Sequence, residues 1–242
     1  MISAHTTLLA LSKMENGRWD AIFNDIQSKK QIPEDYDVSQ NHRCVTLVDP
    51  DYPTKLKQCF KPPFALFYEG NLALLNESNI MCVCGCDKGD DNVAKMISGL
   101  CSTHIIISGD DSSCERMALQ TVMKNQQPLI LVLNEAIDES DLDDEVFLYA
   151  VQNGLLITEF GWVSPDIDET QLTKARIIGF LADSMLVTSS NRKNTRLCLL
   201  IDEALSKGID LFVLPEKPFC GSLNNDLIKD GALLVNKKED VF

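Results

Sequence analysis

The stretch Ile80-Met81-Cys82-Val83-Cys84-Gly85 decides the fold that we predict for this chain. Five apolar residues follow one another without a polar residue between them, and a glycine comes directly after them. A strand that is apolar throughout, instead of alternating, is typical of a parallel sheet covered on both faces. The glycine marks a turn between this strand and a following helix. We therefore predict a buried parallel strand over residues 80–84 of an α/β domain.

Other short runs along the chain have the same character, and helical patterns separate them. The predicted strands are Ala65–Tyr68, Ile80–Cys84, His104–Ile107, Leu129–Leu133, Leu155–Thr158, Ser184–Thr188 and Leu211–Leu214. The predicted helices are Asn92–Cys101, Ser113–Lys124, Glu145–Asn153, Thr170–Leu181 and Thr195–Lys207. This alternation predicts a doubly wound, mostly parallel, Rossmann-like sheet. Ligands of such sheets bind beyond the carboxyl ends of the strands, so functional residues are expected there.

The beginning of the chain has a different pattern of apolar residues. Apolar residues recur at helical spacing between Leu8 and Ile26, and the polar stretch Gln27–Arg43 follows. We predict a small helical N-terminal element with a linker over residues 1–43 and the Rossmann-like domain over residues 44–242.

Composition narrows the class of protein. The 242 residues are 45% hydrophobic and 24% charged, as expected of a globular protein with a full core. No apolar run approaches the roughly 20 residues of a membrane span, and no secretory signal is evident, so we expect a cytoplasmic protein. The nine cysteines have no regular spacing, which favours free thiols. The net charge of −14 argues against broad, nonspecific binding of nucleic acid.

Two strands end in turns that are able to hold an anion. Gly85 precedes a predicted helix whose N-terminus attracts negative charge, although Asp87 places a carboxylate in the same turn. Ser108 and Gly109 end the next predicted strand, in a segment whose serines are also suited to capping a helix. Anion binding and a purely structural turn both remain open at these positions.

Basic and amide side chains follow later strands. Lys174 and Arg176 lie at the predicted start of a helix, where cations oppose the helix dipole and therefore suggest anion binding. Arg192 and Lys193 belong to a second basic cluster, Asn191–Arg196, after the strand at 184–188. The two clusters predict a phosphate-binding groove. The asparagines Asn224 and Asn225 precede a helix that stops at Gly231, and either contact a ligand or cap that helix.

These segments, in this order, resemble the DprA/Smf family of DNA-processing proteins. The family's opening pattern YP..L…PP..L…G is matched by Tyr52-Pro53, Leu56, Pro62-Pro63, Leu66, Tyr68 and Gly70. Later motifs are matched by Ser108-Gly109, Gly154–Glu159, Arg176-Ile177-Ile178 with Gly179 and Leu181, Pro215 and Gly221–Ala232. The resemblance extends over about residues 45 to 240.

The resemblance implies a function and partners. Members of the family hold single-stranded DNA in a positively charged pocket, deliver RecA to DNA during transformation, and dimerise through the α/β domain. It therefore implies single-stranded DNA, RecA and a second copy of the chain as partners, and no cofactor. Four motifs depart from the family. Its GSR turn reads Gly85-Cys86-Asp87, which reverses a charge, and its RNR triplet reads Lys174-Ala175-Arg176. The stretch after Ser108-Gly109 lacks the family's GID..AH pattern, and its E…SG element reads Ser189 through Lys193-Asn194-Thr195.

Other classes of function compete with this interpretation. None of the three histidines lies near a recognisable nucleophile, so we do not expect an enzyme. Cys82, Cys84 and Cys86 share one face of a strand but lack zinc-site spacing, which favours an inert role. The alternatives are a nucleotide- or ligand-binding Rossmann-like domain, with residual phosphoribohydrolase-type chemistry, and a protein-interaction module without DNA binding. The charge of the predicted groove discriminates between them.

Overall fold

A computed structural model describes residues 2–86, 89–140, 144–217 and 221–241 of the chain. The strands are β1 (Arg43–Thr46), β2 (Ala65–Gly70), β3 (Ile80–Cys84), β4 (Ile105–Ser108), β5 (Leu129–Val132), β6 (Leu155–Thr158), β7 (Ser184–Val187), β8 (Asp210–Val213) and β9 (Leu233–Leu234). The helices are α1 (Ala4–Met14), α2 (Trp19–Gln27), α3 (Thr54–Lys57), α4 (Asp91–Leu100), α5 (Ser113–Lys124), α6 (Glu145–Asn153), α7 (Ile167–Leu181), α8 (Thr195–Lys207) and α9 (Asn224–Lys229).

All the strands of the described residues belong to one sheet, in the order β1-β2-β6-β5-β4-β3-β7-β8-β9. The strands from β3 onward are parallel, and β1 and β2 add an antiparallel edge. The chain winds outward from β3 to β6 and then returns to place β7 on the other side of β3. The prediction of a doubly wound, mostly parallel sheet is confirmed, and its topological switch point lies between β3 and β7.

The central strand β3 is buried on both faces, as its sequence predicts. Every one of its residues is 0% exposed. Cys82 and Cys84 pack in the core layer that contains α7 and α8, whereas Met81 and Val83 pack in the layer that contains α4 and α5. Two helical layers therefore cover the sheet. Because both faces are covered, a ligand can reach the sheet only at the ends of its strands.

Some elements differ from the sequence prediction. Helices α1 and α2 lie in the segment where a helical element is predicted, whereas strand β1 begins at Arg43, inside the predicted linker. Helix α7 begins at Ile167, before the predicted start at Thr170, because Asp168 and Glu169 occupy its first turn and complement the helix dipole. Lys174 therefore lies in the middle of α7, and the expectation that it opposes the dipole is wrong.

Two further observations concern membrane-spanning helices and the state of the cysteines. Within the described part of the chain, no helix combines the length and apolar character that crossing a bilayer requires. The cysteines of the described residues are free thiols, several of them buried in the core.

Candidate functional site

A pocket lies beyond the carboxyl end of β3, at the switch point of the sheet. It is lined by Gly85, Asp111, Ser112, Glu115, Gln171, Lys174, Ala175, Ile178, Asn194, Arg196, Leu197 and Leu200. Helices α5, α7 and α8 contribute most of these residues. The space among them is about 510 Å³, part of it open to solvent. This is the position at which a doubly wound sheet binds its ligand.

Gly85 forms part of the pocket lining and leaves no room for a side chain. A Cβ atom at this position would lie 2.2 Å from Thr188 Oγ1 and 2.9 Å from Cys114 Sγ. The next residue fixes the turn, because the Cys86 N–H donates to the carbonyl oxygen of Ser189 at 3.0 Å. Asp87, which carries the predicted charge reversal, lies outside the described residues. The close packing explains why this turn requires glycine.

Lys174 reaches the pocket, but its charge is already offset. Its side chain is 6% exposed and forms an ion pair with Asp111. Gly109 makes room for this lysine, since a Cβ there would lie 2.9 Å from Lys174 Nζ. Ser108 is buried beside them and donates its hydroxyl to the Val83 carbonyl oxygen at 2.9 Å, which ties β4 to β3. Lys174 is therefore a neutralised cation within the pocket.

A second carboxylate, Glu115, lines the same pocket. It forms a capping box at the start of α5: its N–H donates to Ser112 Oγ at 3.1 Å, and its Oε2 accepts from the Ser112 N–H at 3.0 Å. Burial raises the pKa of Glu115, and the nearby Lys174 opposes that rise. Burial also raises the pKa of Asp110, close by in the same turn. This wall of the pocket is thus acidic, where a phosphate site would be basic.

Gln171 faces the pocket with an unsatisfied amide. The residue is 6% exposed, and its Nε2 has no hydrogen-bond partner among the described residues. A buried donor left without a partner costs about 1–3 kcal/mol. Ile178, Leu197 and Leu200 supply an apolar part of the lining. The pocket therefore combines an apolar surface with a donor and carboxylate acceptors.

Exposed cations lie at the rim. A shallow depression next to the pocket is lined by Cys86, Asn191, Lys193, Asn194, Thr195 and Arg196, and it shares Asn194 and Arg196 with the pocket. Asn194 caps α8 by accepting from the Leu197 N–H at 3.1 Å. Lys193 and Arg196 are exposed, and neither has an ion-pair partner among the described residues. The rim therefore carries free positive charge at a helix N-terminus, which favours anions.

The closing segment of the chain is held by polar contacts of its own. Arg192 pairs with Asp226 at 2.7 Å on the surface. Asn224 is fully buried: its Nδ2 donates to the carbonyl oxygens of Leu214 at 2.7 Å and Thr188 at 3.3 Å, and its Oδ1 contacts Ser190. Asn225 contacts the backbone of residue 216 through both ends of its amide. These contacts attach α9 to the ends of β7 and β8.

Arg176 points away from the pocket. Residues two positions apart on a helix are separated by about 200° around its axis, so Arg176 and Lys174 face different sides. Arg176 forms an ion pair with Glu159, whose side chain is 3% exposed. Burial raises the pKa of Glu159 to about 7, and Arg176 limits that rise. Arg176 also lines a different cavity, together with residues that include Trp19, Cys59 and Phe60.

The predicted site residues therefore divide among several places. Gly85 and Lys174 line the pocket, Lys193 lies at its rim, and Gly109 lies against Lys174. The remaining predicted residues, Ser108, Arg176, Arg192, Asn224 and Asn225, make the structural contacts described above, and their part in DNA binding stays a prediction. Arg196 belongs to the second basic cluster that the sequence indicates, although it was not chosen as a site residue, and sequence reasoning did not select Glu115 or Gln171. The S-x-x-E spacing of Ser112 and Glu115 is the one signal that points to a defined position for any of them.

Comparisons with known proteins agree with one another. The family model of DNA recombination-mediator protein A matches residues 43–242. The DNA processing protein DprA of Streptococcus pneumoniae is 27% identical over 208 residues, which cover 81% of this chain and 72% of that protein. The X-ray structure of the pneumococcal protein superposes with a TM-score of 0.74 at 23% identity, over 97% of this chain and 85% of that one.

A second solved structure has the same fold. It is the structure of DNA processing protein A from Helicobacter pylori, which was determined to describe how that protein binds single-stranded DNA. It superposes with a TM-score of 0.71 at 18% identity, over 84% of this chain and 95% of that one.

Proposed function

Because the chain belongs to the DNA recombination-mediator protein A family, we propose that it is a DNA-processing protein that binds single-stranded DNA and assists recombination. The names of its relatives support this proposal: one is a DNA processing protein, and another is described binding single-stranded DNA. In this proposal the chain holds DNA for other proteins and does not catalyse a reaction.

One observation supports a position for the DNA. Of the cations near the switch point, Lys174 is neutralised by Asp111 inside the pocket, whereas Lys193 and Arg196 are exposed and unpaired among the described residues. Phosphate groups are attracted by cations that are free to exchange their counterions. We therefore place the DNA backbone along the depression of residues 191–196, with Lys193 and Arg196 as its main charged contacts.

This placement also reconciles DNA binding with the acidic chain. A net charge of −14 repels a polyanion at long range. The cations at the N-terminus of α8 offset this repulsion only at short range. Binding should therefore be weak at high salt. It should also be confined to flexible, single-stranded DNA that can follow the depression. Duplex DNA is stiff and carries charge on both strands, and we expect it to bind less well.

The experiment is a salt titration of binding to short oligo-dT and to duplex DNA. The double variant Lys193→Glu/Arg196→Glu should lose most of its affinity for oligo-dT. The slope of log K against log salt should fall by roughly 1 to 1.5 for two lost phosphate contacts. The matched control is Lys95→Glu/Lys124→Glu, which makes the same change in net charge at exposed positions of α4 and α5.

Two outcomes would contradict the proposal. Wild-type protein that shows no affinity for oligo-dT at low salt is not a single-stranded DNA binder. An equal loss of affinity in both double variants would mean that net charge, and not the depression, determines binding. Because Lys174 is buried and Arg176 is paired with the buried Glu159, their reversal would test folding more than binding, and the rim residues are the better choice.

The finer parts of the proposal concern partners and setting. By the family resemblance, the protein loads RecA onto bound DNA during recombination or natural transformation, in the cytoplasm. A strand-exchange assay with RecA and DNA coated by a single-strand binding protein tests the loading step. Stimulation of RecA filament growth by the wild type, but not by Lys193→Glu/Arg196→Glu, is the expected result.

A homodimer is the third part of the proposal. Leu205 and Leu234 are exposed hydrophobic residues near the β8–β9 edge of the sheet, with relative exposures of 52% and 46%. Exposed apolar patches often mark protein interfaces. Light scattering should give the mass of two chains, and Leu205→Lys/Leu234→Lys should give the mass of one. Val48→Lys, at a residue 53% exposed elsewhere, is the control and should remain a dimer.

A further inference from the structure

The cavity that Arg176 lines is a second concave surface, on a different side of α7 from the pocket. Helix α2 and the loop after α3 form one wall, helix α7 forms the other, and α8 contributes Glu203. The space between the walls is about 790 Å³, part of it open to solvent. We call it the α2–α7 groove. It lies between the N-terminal helices and the sheet domain, a kind of position where binding sites are common.

The α7 wall is a continuous stripe along one face of the helix. Its lining residues are Glu169, Leu172, Thr173, Arg176 and Phe180. Spacings of three, four, seven and eleven residues return to the same side of an α-helix. From the first to the last of these residues, the stripe extends about 16 Å along the helix axis. The groove is therefore long enough to accompany about three turns of another helix.

The middle of the groove is apolar and open to solvent. Phe60, in the loop after α3, is 88% exposed, and Leu172 on the opposite wall is 51% exposed. Phe23 extends the surface, because it stacks on Trp19 with ring centroids 5.0 Å apart and is itself 40% exposed. Large apolar side chains that are exposed together often mark a protein interface.

The α2 wall is held in place by contacts of its own. The Trp19 Nε1–H donates to the Pro62 carbonyl oxygen at 2.8 Å, and its ring stacks on Phe64 with centroids 5.2 Å apart. Lys61 forms an ion pair with Asp20 at 2.6 Å. Both contacts join α2 to the loop that forms the same wall. The groove is therefore formed before any partner arrives, which lowers the entropic cost of binding.

The charges of the groove favour a basic occupant. Its cations are already offset, Lys61 by Asp20 and Arg176 by Glu159. Glu169 and Glu203 have no ion-pair partner among the described residues.

The two free carboxylates lie toward opposite ends of the stripe. Glu169 is in the first turn of α7. Glu203 packs against Gly179, ten residues further along α7, where a Cβ would lie 2.9 Å from the Glu203 Cβ. The groove thus has an apolar centre with free negative charge near each end. A second copy of this acidic chain, with a net charge of −14, does not complement that pattern.

We propose that the α2–α7 groove docks an amphipathic helical segment of a partner protein, whose apolar side chains contact Phe60, Leu172 and Phe180 and whose lysines or arginines pair with Glu169 and Glu203. An apolar stripe laid into a preformed groove provides affinity, and the charges at its ends fix its direction and register. This interaction goes beyond the proposed DNA binding and does not depend on it, because the pocket and its rim lie on another side of α7.

The test begins with a displayed library of random peptides about 15 residues long, enough for about four helical turns. Selection on the full-length chain should enrich peptides with apolar residues at helical spacing and with basic residues near both ends. The synthetic consensus peptide should then change the fluorescence of Trp19. The variant Trp162→Phe makes this signal specific, because the chain has two tryptophans and Trp19 is the one in the groove.

Charge reversal locates the peptide on the protein. Glu169→Lys/Glu203→Lys should weaken binding of the consensus peptide roughly tenfold, about the effect of losing two partly exposed ion pairs. The same variant should prefer a peptide in which glutamates replace the basic residues. The matched control is Asp168→Lys/Asp202→Lys, which changes exposed carboxylates one position away in the same two helices, outside the groove lining. It should bind the consensus peptide with nearly wild-type affinity.

The apolar centre has its own pair of variants. Phe60→Asp should also weaken binding of the consensus peptide strongly, and the high exposure of Phe60 means that the fold tolerates the change. Leu148→Asp, at a residue of α6 that is 44% exposed, is the control and should bind normally.

Several results would overturn the inference. They are a selection that enriches no peptide, a consensus without basic residues, and a consensus peptide whose affinity the groove variants leave unchanged. A loss of self-association in Phe60→Asp, measured by light scattering, would assign the groove to a second copy of the chain and overturn it too. Failure of the protein to bind oligo-dT would overturn the proposed function and leave this inference standing.

Discussion

Helix α7 carries two buried ion pairs, two residues apart, that face different regions of the molecule. Lys174 pairs with Asp111 at the pocket, where the carboxylate side chain is 17% exposed. Arg176 pairs with Glu159, which is 3% exposed and lies away from the pocket. The carboxylate of the first pair borders solvent and the candidate pocket, whereas the carboxylate of the second pair is almost completely enclosed by protein. The same kind of contact therefore lies at the candidate site on one side of α7 and within the fold on the other.

The difference in burial between the two carboxylates should decide whether a substitution in each pair affects mainly stability or mainly binding. In an enclosed region the cost of removing charge from water can exceed the attraction between the partners. The raised pKa of Glu159 is a sign of this, because burial outweighs the effect of Arg176. Near solvent, a stranded charge can regain water. We expect large effects on stability at the Arg176–Glu159 pair and mainly effects on binding at the Lys174–Asp111 pair.

The largest expected effect is the loss of stability in Glu159→Leu. Arginine cannot give up its proton, so this variant leaves Arg176 buried without an acceptor. The free energy of unfolding should fall by about 3–5 kcal/mol, as measured by urea denaturation. The double variant Glu159→Leu/Arg176→Met removes both charges and should recover most of the loss. A double variant as unstable as the single one would show that packing, and not the stranded charge, is the cause.

The second-largest expected effect is a dependence of stability on pH that the titration of Glu159 causes. Its pKa in the folded protein is about 7, against 4.5 for an exposed glutamate. Between these values the folded protein keeps a proton that the unfolded chain has released, so raising the pH favours unfolding. This contribution should decrease stability by up to about 3 kcal/mol as pH rises from 4.5 to 7, and then level off.

Glu159→Gln isolates that contribution. The variant keeps an acceptor for Arg176 but cannot titrate, so the difference between wild type and variant should fall with pH over this range. Other buried carboxyls, such as Glu115 and Asp110, titrate in both proteins and cancel in the comparison. Parallel stability curves for the two proteins would show that Glu159 is already ionised well below neutral pH.

Lys174→Met should have a smaller effect on stability. Methionine fills the space of the lysine stem, and Asp111 can turn toward solvent. We expect a loss of about 1–2 kcal/mol in the free energy of unfolding. Oligo-dT affinity should change less than in Lys193→Glu/Arg196→Glu, because the charge of Lys174 is already neutralised. A loss of binding as large as in the rim variant would mean that Lys174 itself contacts phosphate.

The smallest expected effect is a gain of affinity in Asp111→Asn. Removing one carboxylate beside the DNA path should strengthen oligo-dT binding on the order of threefold at low salt, as expected of one partly exposed charge. The gain should disappear at high salt because mobile ions screen it. Asp91→Asn, at the exposed start of α4, is the control and should change the affinity little. Weaker binding in Asp111→Asn would show that this carboxylate positions Lys174 for the DNA.

The sequence predicted the central sheet well and its edges poorly. Strands β2 to β8 lie within two residues of their predicted limits, because buried parallel strands are continuous apolar runs. Strand β1 begins with an arginine and β9 has two residues, so neither has such a run. The position of the site at the strand ends followed from the same pattern. Gly85 and Lys174 were accordingly found at the pocket.

The charge of the site could not be predicted in the same way. Lys174 and Asp111 are 63 residues apart in sequence, and nothing local indicates that they pair. Lys174 and Arg176 were predicted to act together because they are neighbours in sequence, but helical geometry turns them apart. Gln171 gives no sequence signal at all, because it stands out only by an Nε2 that has no hydrogen-bond partner among the described residues.

The buried amide of Asn224 has a consequence for how the protein opens. This one side chain joins the end of β7, the end of β8 and the start of α9. Its contact at Thr188 lies directly beside Gly85 of the pocket. Backbone amides of these three segments should therefore exchange with deuterium as one unit. The C-terminal helix and the pocket would then open and close together, although they are far apart in the chain.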